Sequence, residues 1–185
     1  PSPWSLPSHA SIFTGEYPHE HGRYRFGDSI DTPLVRKLSN RGYTTYGVSA
    51  KGFASQRTGF DEDFDRFRYT GGRDRYVDGM DVSGTAQGVL TKEGGRFADA
   101  LKRVLGEIPS HGNRLKSLAN FAAVGAGELA TKFEKLQSIP HPVFAPTSDY
   151  SYTPEKNTRV IQSMLEEHDD SNPFFLFTNY MDTHR

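Results

Sequence analysis

Asn172-Pro173-Phe174-Phe175-Leu176-Phe177-Thr178-Asn179-Tyr180 is the stretch on which the fold turns. Asn-Pro ends a turn, and the run from Phe174 to Tyr180 is almost wholly apolar. A strand that is apolar on both faces, rather than on alternate residues, belongs in a parallel sheet covered by helices on both sides. The neighbouring segments fit that arrangement. Thr153-Pro154-Glu155 caps a helix running to about His168, with Pro at the first helical position, where its missing N–H costs nothing. Upstream, Thr44 to Ala50 is β-branched and aromatic and predicts another strand. It follows a helix from Pro33 to Arg41, with Leu34, Val35 and Leu38 at helical spacing and Gly42 as the stop.

Between the strands, residues 51–80 are rich in Gly, Asp and Arg and predict a loop. From Asp81 to about Gln137 the pattern turns helical, with Phe97, Leu101, Val104 and Leu105 as one apolar stripe. A second stripe runs from Leu115 to Leu136, interrupted near Gly125 and Gly127. Ile139 to Tyr152 contains three prolines and predicts an irregular connector. The expected fold is therefore α/β, a doubly wound and mostly parallel sheet, with a helical insertion over 81–137.

Composition sets limits on function. The chain has 185 residues, 35% of them hydrophobic, and a mean hydropathy of −0.66, enough for one domain with a real core. A net charge of −1 gives no global field for nucleic acid or an anionic membrane. No apolar run approaches the roughly 18–20 residues of a membrane span. The opening Pro-Ser-Pro-Trp is not a signal peptide, and the lack of an initial Met predicts a true N-terminus upstream. There is no cysteine, which excludes disulfides and thiolate metal sites and leaves the compartment open.

Near the start stands Ser5-Leu6-Pro7-Ser8-His9-Ala10-Ser11-Ile12-Phe13-Thr14-Gly15. Pro7 fits a first helical turn and Gly15 a stop about two turns later. Ser5 would then sit where unpaired N–H groups and the positive end of a helix dipole converge, a natural anion site. The same residues also spell an ordinary Ser-capped helix. In doubly wound sheets the working residues lie beyond the carboxyl ends of the strands. That rule marks Lys51 after the first strand, and Asp182 and His184 after the last. A Lys in that place is also often a plain solvated charge, and the His a structural one.

Ser5, Pro7, Ser8, Thr14 and Gly15, with Gly15-Glu16-Tyr17-Pro18-His19-Glu20-His21-Gly22 behind them, resemble the active-site signature of the sulfatases, in the alkaline-phosphatase-like superfamily. Arg41-Gly42-Tyr43-Thr44-Thr45, Gly59-Phe60-Asp61 and Asp63-Phe64-Asp65 resemble the segment after that signature, and residues 173–185 the strand and loop presenting an active-site His. The resemblance covers residues 1–67 and 153–185, and hardly touches 68–152. It implies an alkaline-phosphatase-like fold and a metal-dependent sulfuric or phosphoric ester hydrolase, here a partial domain over 1–185 without the early and late metal-ligand segments, and so inactive alone. His9 stands where the family has Arg, and Lys51 stands one residue later than the family's Lys.

By that resemblance Ser5 is the nucleophile and touches the metal, His184 protonates the leaving group or binds an ester oxygen, and Lys51 and His9 hold the anion. His offers one donor and a charge that depends on pH, where Arg would offer a fixed fork. Activity would then fall as His9 deprotonates. A serine hydroxyl at its free pKa is a poor nucleophile and is commonly activated by a metal. Ca²⁺ or Mg²⁺ is implied for a sulfatase, Mn²⁺ or Zn²⁺ for a phosphoesterase. Formylglycine is not expected, since there is no Cys and no Arg at position 9, which favours a phospho- or phosphonoester substrate.

The expected partner is a small-molecule or glycan ester, with no nucleic acid. A phospho-group transferase and an inactive anion-binding module are the alternatives. Of the remaining charged groups, Asp61, Glu62, Asp63 and Asp65 predict a solvated loop whose Phe60, Phe64 and Phe67 pack inward. His19 and His21 have no catalytic duty in the resembling proteins, and His111, His141 and His168 predict surface residues. Arg66, Arg68, Arg73 and Arg75 alternate with Tyr69 and Tyr76. Asp74 and Asp78 dilute that charge, so a lid over an anionic substrate suits it better than RNA.

Overall fold

In the computed structural model, residues 4–25, 27–132 and 153–180 are described. Three parallel strands, β1 (Thr44–Ser49), β2 (Arg66–Tyr69) and β3 (Phe174–Asn179), form one sheet in the order β2-β1-β3. Thr44 faces Phe174 and Ser49 faces Asn179 across β1 and β3, while Tyr46 faces Arg66 across β1 and β2. The described helices are α1 (Ser5–Thr14), α2 (Pro18–His21), α3 (Pro33–Ser39), α4 (Val82–Gln87), α5 (Phe97–Glu107), α6 (Arg114–Lys132) and α7 (Pro154–Glu166). The fold is thus mixed α/β. Prediction missed β2, because Arg66 and Arg68 hide the alternation carried by Phe67 and Tyr69.

Strand alternation divides the core into two layers. On one face Phe67, Phe175 and Phe177 meet Leu6, Ala10 and Phe13 of α1, Val35 of α3, and Phe53, Phe60 and Phe64. On the other, Tyr46, Val48 and Leu176 meet Val160, Ile161 and Met164 of α7. Gly47 is what lets the first layer close. A Cβ there would lie 2.4 Å from the Phe67 ring, so any side chain would displace an aromatic in a close-packed layer. β3 was expected to be buried. It is half-buried, with Phe174 47% exposed, because among the described residues it has a neighbour on one side only.

Glycines stop α1 and α3 as the sequence indicates. Gly15 has φ 78° and its N–H closes on the Ser11 carbonyl, and Gly42 ends the turn after α3 with φ 85°. Both lie in the left-handed region that glycine adopts without strain.

The helical insertion forms a small core of its own from Met80, Val82, Val104 and Ile108, joined by Ala86, Phe121 and Val124. Its buried face differs from the predicted stripes. On α5, Ala100 and Val104 are buried while Phe97 is 67% exposed and Leu105 46%. On α6, Leu115 is 81% exposed, and the buried positions include Ser117 and Asn120. Nor does α6 break at Gly125 or Gly127. The Arg73 side chain lies where a Cβ on Gly127 would stand, so that glycine serves packing rather than a stop. The predicted connector at 139–152, His141 and the last predicted residues of the insertion lie outside the described residues.

Buried polar side chains shape the loop after β2. The Lys156 ammonium, on α7, donates to the carbonyls of Thr70 (3.0 Å), Gly72 (3.5 Å) and Asp74 (2.9 Å). Three acceptors match the three donors of a charged lysine. The Asp74 carboxylate, 1% exposed, accepts the N–H groups of Val82 and Ser83 at the start of α4. Arg68 donates to the carbonyls of Gly79 and Tyr76, Arg73 pairs with Glu128 and Arg66 with Glu167. Buried Arg68 is thus spent inside the fold, while Arg66 and Arg73 form ion pairs with exposed carboxylates. Asn120 and Ser117 satisfy Tyr76 and Met80 from α6.

Candidate active site

The strand order places a topological switch point beside β1. From β1 the chain goes to β2 on one side and later returns to β3 on the other, and ligands of open α/β sheets bind in the crevice at the carboxyl ends of such strands. At that end of the molecule lie the Ala50–Phe53 turn, the end of β3 and one residue of α1.

Ser5 is the first residue of α1, and Trp4 is the N-cap without a side-chain cap. This differs from a Ser-capped helix: the hydroxyl does not satisfy the helix's own N–H groups. Among the described residues it has no hydrogen-bond partner. The N–H groups of Ser5 and Leu6 have no acceptor inside the helix, and Pro7 has none to satisfy. Among the described residues, the α1 terminus therefore offers a hydroxyl and N–H donors without partners.

His9 sits one turn further along. Its Nδ1 donates to the Ser5 carbonyl at 2.7 Å, which leaves Nε2 as a bare acceptor in the neutral ring. The ring packs edge-on against Phe53 (4.9 Å between centroids) and Phe177 (5.8 Å). It thus ties α1 to the turn after β1 and to β3. Burial lowers its pKa from the ordinary 6.5, the Ser5 carbonyl opposes that, and nearby Lys51 adds to it. His9 is consequently neutral at pH 7. Holding an anion as a cation therefore requires acidic pH.

Lys51 follows β1 in a turn closed by its own backbone. Its N–H donates to Ser49 Oγ (3.1 Å) and its carbonyl accepts from the Ala54 N–H (3.0 Å). Partial burial lowers its pKa. No carboxylate pairs with it among the described residues. An ammonium unpaired among the described residues marks this corner electrostatically, and its field reaches His9 of α1.

The structure thus joins His9 to Ser5 by a hydrogen bond and puts Lys51 within electrostatic reach of His9. His184 and Asp182 lie outside the described residues, as do 181–185 generally. Sequence reasoning missed two asparagines. Asn179 Oδ1, at the end of β3, accepts the Ala50 N–H at 3.0 Å. Asn157, fully buried on α7, donates to the Asn179 carbonyl at 2.8 Å and accepts from Thr70 Oγ1. Together they bind the ends of all three strands. The available signal was the switch from apolar to amide at Thr178-Asn179.

The other charged groups have structural duties. Asp63 accepts from Thr32 and, at 2.9 and 3.0 Å, from Arg36, and Asp65 accepts from the N–H and hydroxyl of Thr45. Phe60 and Phe64 are buried and Asp65 is exposed as expected, while Asp63 and Asp65 also hold Arg36 and Thr45. His21 meets Ser11 at 3.1 Å, yet its Nδ1 accepts the Arg23 N–H. Its Nε2 therefore carries the proton and donates to Ser11, the wrong tautomer for a base. His168 is not a plain surface residue: Nε2 donates to the Asn172 carbonyl and Nδ1 accepts from the buried Tyr46 hydroxyl.

Among the described residues no three His, Asp or Glu side chains gather into a set able to hold a metal ion. Ser5 alone does not make a cage, so no step below is routed through a metal. Known proteins give no direct lead. No family model, curated protein or solved structure matches the chain. No described helix is long and apolar enough to cross a membrane.

Proposed function

We propose that this chain is the Ser5-bearing part of an alkaline-phosphatase-like, sulfatase-like hydrolase acting on sulfuric or phosphoric esters. The observation that carries the reading is Lys51: an ammonium without a carboxylate partner among the described residues, in the turn after β1 at the switch point and within electrostatic reach of His9 on α1. A cation and helix-terminal donors suit the equatorial oxygens of a tetrahedral anion. Ser5 Oγ bonds to the phosphorus or sulfur as the bond to the leaving oxygen breaks, and water later releases the group from Ser5. His9 Nε2, neutral and unprotonated at pH 7, is available as a proton acceptor in this site. The resemblance adds His184 as the acid for the leaving oxygen. It also adds a divalent ion, Ca²⁺ or Mg²⁺ for a sulfatase and Mn²⁺ or Zn²⁺ for a phosphoesterase, which supplies Lewis acidity when bound.

The test is turnover of p-nitrophenyl sulfate, p-nitrophenyl phosphate and phenylphosphonate esters by the intact parent protein, with each ion supplied. Ser5→Ala is expected to lower the rate by a factor of about 10³ or more, as loss of a covalent nucleophile does. A rate unchanged in Ser5→Ala contradicts the proposal. Diversion of product by added alcohols would mark a transferase of the same chemistry.

A further inference from the structure

We infer that Asn179 is a ligand-binding residue of this site, its amide N–H donating to an oxygen of the bound tetrahedral anion. The inference rests on the anion-site reading above. Asn179 pairs in register with Ser49 across β3 and β1. Alternation puts it on the face of Phe175 and Phe177, the face covered by α1, where His9 packs against Phe177.

Its orientation is fixed chemically. The Ala50 N–H can only donate, so the amide end facing it at 3.0 Å is the oxygen. Nδ2 then points away from that bond, and it is buried without a hydrogen-bond partner. Leaving a buried donor unpaired is costly, so one in a native site asks for an acceptor. The backbone around it is held firmly. The Asn179 carbonyl accepts from Asn157 at 2.8 Å, and Asn157 also holds Thr70, whose N–H donates to the Ser49 carbonyl at 2.8 Å. The next residue after Ala50 is Lys51, whose ammonium has no carboxylate partner among the described residues. A sulfate or phosphate group meets both needs: negative charge for Lys51 and a spare oxygen for Nδ2.

Orthophosphate titrated into the ¹⁵N-labelled chain, followed by NMR, tests this. The Asn179 side-chain amide pair should shift saturably, in step with the backbone N–H groups of Lys51 and Leu6. Asn179→Asp keeps the acceptor for Ala50 but replaces the donor with a repelling oxygen, and should weaken phosphate binding roughly tenfold or more. Lys51 and Leu6 shifting while the Asn179 pair stays fixed overturns the inference and leaves the anion site standing. Wild-type affinity in Asn179→Asp does the same. No saturable shift at any of the three overturns both. The wild-type titration decides even where the variant fails to fold.

Discussion

Burial pushes both Lys156 and Lys51 below the ordinary lysine pKa of 10.5, although Lys51 is much the more open to solvent. Their surroundings differ in kind. Lys156 is held by three carbonyls, and Asp74 and Asp81 oppose the burial effect on it. Lys51 faces no carboxylate among the described residues and acts on a neutral histidine instead. One cation is consumed in shaping the loop after β2. The other stays available to a ligand. Burial alone does not mark a functional lysine; what separates these two is whether the fold already supplies the acceptors.

The contrast can be broken by mutation. The largest effect belongs to Lys156→Met, which leaves three carbonyls and the Asp74 carboxylate facing an apolar chain. It should cost about 3 kcal/mol in urea unfolding. A loss near zero would mean that the loop does not depend on its lysine. Next comes Asn157→Leu, which removes the bonds joining Thr70 to Asn179, at a cost of roughly 2 kcal/mol in the same measurement. Lys51→Met, by contrast, relieves an uncompensated charge and should change unfolding stability by less than about 0.5 kcal/mol. A large destabilisation there would make Lys51 a second structural lysine.

The smallest effect sharpens the picture of His9. Its folded pKa lies below the unfolded 6.5. Between that depressed value and 6.5 the unfolded chain binds a proton that the folded chain resists, so stability should fall as pH drops through the window. In His9→Gln the urea midpoint should fall less between pH 7 and pH 5 than in wild type. Equal falls would place His9 in a solvated setting.

The two regions also differ in how far the sequence reveals them. The lysine after β1, the helix stops at Gly15 and Gly42, and the strands at Thr44 and Phe174 follow from local periodicity and turn chemistry. The loop around Lys156 does not. A lysine and an asparagine in the first turns of an amphipathic helix look solvent-facing until packing brings residues 70–74 over them. The same holds for β2, whose Arg68 is buried because Gly79 and Tyr76 offer carbonyls from a distant loop. On α5 the apolar face is wider than the surface that covers it, so of the predicted stripe Val104 is buried, together with Ala100, while Phe97 and Leu105 stay exposed. At the site, Ser5, His9 and Lys51 stand out as chemistry-bearing residues at predictable places. Asn157 and Asn179 do not, since their roles arise from strand ends that meet only in three dimensions.

The central claim is that Lys51 is a free cation of an anion site, and calorimetric titration of orthophosphate at pH 7 tests it most directly. Wild type should bind at one saturable site, and Lys51→Met should bind at least roughly tenfold more weakly while unfolding at the wild-type midpoint. Equal phosphate affinity in the two proteins would contradict the account.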